Sequence, residues 1–272
     1  MHNAPAHTTK HCQELAYTLP NGTEVTIAQD DAASSSPGRT VWLGAQVLSV
    51  YLQHTLGTAR RGWRAIDLGS GTGVVALTLA SLGYDTLATD VDFIVNGVLR
   101  GNVEANRQKL RAGGGGWLEA RTLDWFDDPS SWPFKDAGGD EGQNMKAMSI
   151  QPPFNLITTA DTVYDPSLST PLLSTLRSLS LLSPSPPPVY LALEARDPAL
   201  AAAFFRSAAN DFGFKAARIE HAKVKKLVED KEGTLGWENE EDWEGVELWK
   251  LKLSRAAAGQ QRRRRRGEQE ED

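Results

Sequence analysis

Apolar positions change their period several times along the chain, and each change marks an element. Leu15, Tyr17 and Leu19 alternate with polar neighbours, Val25 and Ile27 do the same, and Pro20-Asn21-Gly22 lies between them. Two alternating runs joined at Asn-Gly predict a β-hairpin. After a Ser/Gly/Pro stretch from Asp30 to Arg39, residues Val41, Leu43, Ala45, Val47, Leu48, Tyr51 and Leu52 recur at helical spacing up to Gly57. That pattern predicts a helix. The first dozen residues are polar and have no period.

From Trp63 onward short apolar runs alternate with helical stretches. Strands are expected at Trp63 to Leu68, Tyr84 to Thr89, Trp117 to Thr122, Phe154 to Ala160 and Val189 to Ala195. Helices are expected near Gly73 to Leu82, Phe93 to Arg111 and Leu168 to Leu182, and from Asp197-Pro198 through Asn210. Asp197 suits an N-cap and Pro198 the first turn. Such repeated βαβ units build a parallel sheet covered by helices on both faces. Phe214 to His221 and Val246 to Leu253 read as later strands around an acidic connection, so the last strand closes the sheet antiparallel.

Gly113 to Gly116, Asp136 to Met148 and Ser183 to Pro188 read as loops, and Lys223, Lys225 and Lys226 as a solvent face after a strand. The expected architecture is α/β, a mostly parallel seven-stranded Rossmann-like sheet with an N-terminal β-hairpin. Its divisions are a leader and hairpin over 1–37, one domain over 38–254 and a disordered charged tail over 255–272.

Charge narrows the partners. The 272 residues carry a net charge of −6, which argues against nucleic-acid binding through the whole surface. Six arginines and four acids fall between Arg255 and Asp272, including the run Arg262 to Arg266, so the remainder carries −8. The run reads as a weak import or docking signal. An acidic domain favours a basic protein partner over nucleic acid or membrane. Cys12 is the only cysteine, and neither a secretory leader nor an apolar run of membrane-spanning length is seen. A monomer in the cytoplasm, extending to the nucleus, is expected. No Cys/His spacing supports a metal site.

The strand at 63–68 leads into Asp67-Leu-Gly69-Ser-Gly71-Thr-Gly73. Glycines there let the backbone turn tightly and approach a ligand. A dinucleotide fingerprint starting at Gly69 would need glycine at 74, where Val74 stands, and has no use for an acid in the turn. Asp67 suits a cationic ammonium or sulfonium and opposes a pyrophosphate. Asp90, at the end of the next strand, can accept both hydroxyls of a ribose, with Asp92 as its competitor. A nucleoside with a positive tail describes S-adenosylmethionine. After the third strand, Asp124 can accept from an exocyclic amine and Trp125 can cover a ring, although Trp125 suits the edge of a core equally well.

Thr159-Ala160-Asp161-Thr162-Val163-Tyr164-Asp165-Pro166 follows the fourth strand, at the carboxyl edge where α/β sheets bind ligands. Methyl transfer from a sulfonium needs an unprotonated nitrogen held in line, so positioning and electrostatics carry it. Asp161 can hold an amine cation and Tyr164 can close its pocket. A plain Asx turn ended by Pro166 explains the same residues without chemistry.

Asp67-x-Gly69-x-Gly71-x-Gly73, Leu123-Asp124-Trp125 and above all Asp161-Thr-Val-Tyr164 resemble the seven-β-strand methyltransferases of methyltransferase family 16. Gly38-Arg-Thr-Val-Trp42-Leu-Gly-Ala45 resembles that family's Trp-containing helix, and the likeness runs from about Gly38 to Leu253. Gly113 to Gly116 and Val246-Glu-Leu-Trp-Lys250 are most similar to its methyltransferase-like protein 22 subgroup. The resemblance implies S-adenosylmethionine as cofactor and a lysine-bearing protein substrate. It also implies cofactor contacts from Trp42, Asp67, Gly69, Gly71, Gly73, Asp90, Asp124, Trp125 and Ala160, with Asp161 and Tyr164 on the substrate side. A small-molecule amine methyltransferase and a catalytically silent cofactor-binding scaffold are the other readings. A protein substrate wants an open acidic rim, which Glu238, Glu240, Glu241, Asp242 and Glu244 could supply, although a solvated loop is the plainer reading of those acids.

Overall fold

The alternating runs near the start form the antiparallel hairpin β1 (Glu14–Thr18) and β2 (Glu24–Ala28), with Tyr17 opposite Val25. The computed structural model describes residues 2–30, 37–59, 62–132, 134, 149–254 and 256–258. Most of the Asp30 to Arg39 stretch, the loop at Asp136 to Met148 and the arginine run at Arg262 to Arg266 lie outside them. Tyr17, Leu19, Val25 and Ile27 are buried, which is what the two-residue period requires of one face.

The residues before the hairpin are not a plain polar leader. They form the short helix α1 (Ala6–Thr9) and are stitched down by side-chain amides. Asn3 Nδ2 donates to the Thr18 carbonyl at 2.7 Å, and Asn3 Oδ1 accepts the Thr18 N–H at 2.9 Å. Gln46 Oε1 accepts the Ala6 N–H, and Trp237 Nε1 donates to the Asn3 carbonyl. Amide bonding to backbone leaves no hydrophobic period to read.

Helix α2 (Leu43–Leu56) ends at Gly57, whose φ of 61° few other residues adopt. Seven strands follow: β3 (Arg64–Leu68), β4 (Asp85–Asp90), β5 (Leu118–Thr122), β6 (Leu156–Ala160), β7 (Val189–Glu194), β8 (Phe214–Arg218) and β9 (Val246–Leu253). They lie in the order β5-β4-β3-β6-β7-β9-β8. Only β9 is antiparallel, inserted between β7 and β8. The expected seven-stranded sheet is therefore present, with its reversed strand inside the edge.

The intervening helices are α3 (Val74–Ser81), α4 (Asp92–Ile94), α5 (Arg100–Ala112), α6 (Pro166–Leu181), α7 (Pro198–Asn210) and α8 (His221–Val228). A π-helical turn, Val95–Leu99, joins α4 to α5. Asp165 and Asp197 cap α6 and α7, each accepting backbone N–H groups and each followed by proline. Alternate residues of β7 feed two cores. Tyr190 and Ala192 pack with α2 and α3, while Val189, Leu191 and Leu193 pack with α6 and α7. Burial on both faces explains the continuous apolar runs. Ala258 is buried on the α6/α7 side.

One strand needs correction, and the acids before β9 take the plainer of their two readings. The strand at Phe214 stops at Arg218, and His221 opens α8, so Lys223, Lys225 and Lys226 lie on a helix. Val224 and Val228, one turn apart, bury its inner face. The acids of the connection before β9 form no rim on the cleft. Glu240 pairs with Lys225 and His221, Glu238 with Lys231 and Asp242 with His7, and none lines the cleft described next.

Candidate functional site

β3 and β6 are neighbours, and the chain leaves β3 toward β4 on one side and β6 toward β7 on the other. Their carboxyl ends part there and leave a crevice. A cleft of about 280 Å³ occupies it. Its walls bring together Trp42, Asp67, Gly69, Gly71, Asp90, Asp124, Trp125, Ala160, Asp161 and Tyr164, so nearly every residue singled out from the sequence meets in one place. Gly73 does not line it. It caps the N-terminus of α3 from behind with φ 92° and donates its N–H to the Ser70 carbonyl at 2.7 Å.

Asp67 stands opposite Thr158 across β3 and β6, and Thr158 Oγ1 donates to Asp67 Oδ1 at 2.7 Å. Burial pushes its carboxyl up to about 7, against the Thr158 and Ser70 hydroxyls and with the Asp90 charge adding to the rise. A cation placed beside it would reverse that shift. Asp90 closes β4, where its Oδ2 accepts the Gly71 N–H and its Oδ1 the Val91 N–H, both at 2.8 Å. Burial raises it to about 6, against those two bonds. Each oxygen keeps a lone pair for a hydroxyl donor. Asp92 is engaged elsewhere, accepting from Asn96 Nδ2 and Thr122 Oγ1, and is not among the lining residues.

Asp124 Oδ1 accepts the Phe126 N–H at 3.0 Å, an Asx turn that presents the following residues. Trp125 lines the cleft and also packs on the α6/α7 core. Three aromatic rings stand exposed at the mouth: Phe93 at 53%, Phe126 at 67% and Tyr164 at 57%. Burial, with Asp90 and Asp165 adding, raises the Tyr164 hydroxyl, which therefore stays protonated and can donate.

Asp161 adopts φ 56°, the left-handed region that asparagine and aspartate tolerate best. Its N–H donates to the Ala192 carbonyl of β7, and its Oδ2 accepts the Ala45 N–H at the start of α2 at 3.0 Å. Trp42, the residue preceding α2, makes no side-chain cap, so a carboxylate from another strand fills that place. Burial pushes Asp161 up to about 7, the Ala45 N–H opposes this, Glu194 adds to it and Arg196 works against it.

Sequence reading missed several side chains, Phe93 and Phe126 at the mouth among them. Glu194 and Arg196, at and just beyond the end of β7, line the same cleft. Asn102 and Asn106, one turn apart on α5, each accept an N–H and donate to a carbonyl of β2, at Ala28 and Thr26. Asn102 also donates to the Thr72 carbonyl in the glycine turn. Two buried asparagines at i, i+4 were the available signal.

Comparison with known proteins bears on the family and the fold. Residues 20–136 match a family model described as lysine methyltransferase. The chain is 27% identical over 150 residues to methyltransferase-like protein 22 of Mus musculus, covering 52% of this chain and 35% of that protein. It is 34% identical over 143 residues to protein N-lysine methyltransferase METTL21A of Mus musculus, covering 51% and 54%. The chain thus spans about a third of the length of the methyltransferase-like 22 proteins it matches. A solved structure from Streptococcus mutans, classed as a SAM-dependent methyltransferase, superposes with TM-score 0.50 at 10% identity, covering 89% of this chain and 56% of that one. That likeness concerns the fold.

Proposed function

We propose, from the seven-stranded Rossmann-like sheet and the match of residues 20–136 to a family model described as lysine methyltransferase, that this chain transfers the methyl group of S-adenosylmethionine to a lysine side chain of a protein. The observation that carries the reading is the convergence of Asp67, Asp90 and Asp161 on one cleft at the carboxyl ends of β3, β4 and β6.

The donor set fits the cofactor. Asp67 is a buried carboxylate that, among the described residues, meets a neutral hydroxyl donor from Thr158, which suits an ammonium. Asp90 has acceptor capacity for ribose hydroxyls, Asp124 for an adenine amine, and Trp125 offers a ring face. When bound, the sulfonium supplies an electrophilic methyl group. Positioning and charge are left to the chain. Asp161 takes up the proton of the acceptor amine beside the β6 end, at a carboxyl whose affinity burial has raised to near neutrality. Tyr164 donates from the mouth of the cleft, and the exposed Phe93 and Phe126 give a folded protein an apolar surface to rest on. Those exposed rings favour a protein substrate over a small amine.

The proposal carries with it a monomer acting in the cytoplasm, extending to the nucleus, without membrane or nucleic-acid partners; these rest on the sequence readings alone. Calorimetry with S-adenosylmethionine tests the cofactor, and absence of binding sinks the reading. Incubation of the chain with labelled cofactor and cell lysate, followed by mass spectrometry, tests the acceptor: label on lysine is expected, and label confined to small molecules would transfer the reading to an amine methyltransferase.

A further inference from the structure

Glu194 closes β7 next to the strand that delivers Asp161. The Ala160 to Ala192 register and the bond from the Asp161 N–H to the Ala192 carbonyl place the two carboxylates at neighbouring strand ends. Both line the cleft. Two acids on one wall of a pocket call for a cation, and the chain provides one of its own. Arg196 Nη2 lies 2.6 Å from Glu194 Oε2, and its guanidinium stands 5.4 Å from the centroid of the Trp42 ring.

The two members of the pair differ in how firmly they are held. The Glu194 side chain is 21% exposed, whereas that of Arg196 is 62% exposed. Among described residues, no side-chain hydrogen bond or ion pair of Arg196 other than that to Glu194 is seen. The carboxylate is built into the wall, and its counter-ion reaches in from solvent. Exposed ion pairs are weak and readily exchanged.

We propose that Glu194 receives the cation of the methyl acceptor and that Arg196 is its resting counter-ion, swung out when the acceptor's ammonium arrives. The inference rests on the methyltransferase reading and names a specificity-determining residue for it. Exchanging one cation for another keeps Glu194 paired as the acceptor enters, so the half-buried acid is not left without a partner at that step. A neutral side chain entering the cleft would leave Arg196 in place and gain nothing from Glu194. The proton on the acceptor nitrogen then leaves to Asp161, the nitrogen becomes cationic again on taking the methyl group, Asp161 passes its proton to solvent, and Glu194 regains Arg196 once the product departs.

The test uses the full chain loaded with S-adenosylhomocysteine, with binding of that nucleoside measured first by calorimetry. n-Butylammonium chloride is then titrated against potassium chloride at matched ionic strength, following the Arg196 Nε–H resonance. In the native protein a saturable shift is expected with butylammonium and none with potassium. Glu194→Gln, followed by intrinsic tryptophan fluorescence calibrated on the native protein, should weaken butylammonium binding about tenfold. Arg196→Ala should tighten it several-fold by removing the competitor. In lysate methylation the same variants should move the half-saturating lysate concentration, in opposite directions, more than the plateau rate.

Absence of a saturable shift in the native protein overturns the inference. So does an Arg196→Ala variant that binds butylammonium more weakly, which would make Arg196 a brace for Glu194 and not a displaceable ion. Loss of nucleoside binding in the native protein overturns the methyltransferase reading itself, and normal nucleoside binding with unchanged butylammonium affinity in Glu194→Gln overturns the inference alone.

Discussion

The carboxylate of Asp161 accepts the backbone N–H of Ala45 at 3.0 Å across 116 residues of chain. It joins the segment after β6 to the first turn of α2, and so fixes the Trp42 wall of the cleft relative to the strand ends. Asp161 therefore has a structural part as well as the chemical one proposed for it. Asp161→Ala is expected to abolish transfer and also to cost about 1–3 kcal/mol of stability through the orphaned N–H, with S-adenosylmethionine affinity changed only a few-fold. Denaturant melts and calorimetry on the same variant check both parts. Unchanged turnover would move the chemistry elsewhere.

Gly44 tests the same junction from its other side. A Cβ there would lie 2.6 Å from Asp161 Oδ2 and closer still to Oδ1. Alanine is the better helix former by about 1 kcal/mol, so propensity alone predicts that Gly44→Ala stabilises the protein. The overlap with the carboxylate predicts the reverse. We expect a lower melting temperature and loss of transfer, and a gain in stability with full turnover would show that Asp161 can leave the junction freely.

Asp90→Ala is expected to weaken S-adenosylmethionine binding by about 1–3 kcal/mol, the scale of a lost polar partner at a site. Asp92→Ala should leave it within about twofold, because Asp92 is engaged by Asn96 and Thr122. Isothermal titration of the two variants side by side decides between them, since equal affinities would remove Asp90 from the ribose.

Protons should report on the buried acids. Folding raises Asp67 to about 7 and Asp90 to about 6 from the ordinary carboxylate value of 3.8. The stability these groups contribute is thus fully present below that ordinary value and is lost as pH rises through about 6 and about 7. A bound cation favours the ionised carboxylate, so binding of S-adenosylmethionine near pH 6.5 should release protons. Calorimetry in buffers of different ionisation enthalpy would show this as a buffer-dependent heat that fades at higher pH. A heat independent of buffer at both pH values would place no titrating carboxylate beside the cofactor.

Asn102 and Asn106 present the edge of β2 with the donors and acceptors of a neighbouring strand. Asn106→Ala should cost about 1–3 kcal/mol and open the hairpin selectively. Hydrogen exchange at Thr26 would read it directly. Asn102→Ala should in addition loosen the glycine turn through Thr72 and so weaken the cofactor, which Asn106→Ala should not.

The chain's local chemistry determined much of this protein. Two-residue alternation around Pro20-Asn21-Gly22 made the hairpin, continuous apolar runs made the doubly covered strands, and Asp165 and Asp197 before proline started α6 and α7, because these signals act between near neighbours. The motif residues Asp67, Asp90, Asp124 and Asp161 were legible for the same reason, each standing at a strand end that the periodicity had already located. Whatever depends on partners far away in the chain was decided by the tertiary structure. Helix α8 was hidden because eight residues with two buried valines give too short a period. The cleft role of Glu194 was hidden because it exists only once β7 lies beside β6. Asn3, Gln46, Asn102 and Asn106 fold the amino-terminal segments onto the domain through backbone hydrogen bonds, an interaction without periodicity. Asp161 is the clearest division between the two: its identity and position are written in the sequence, but its bond to Ala45 could come only from a fold that closes 116 residues into contact.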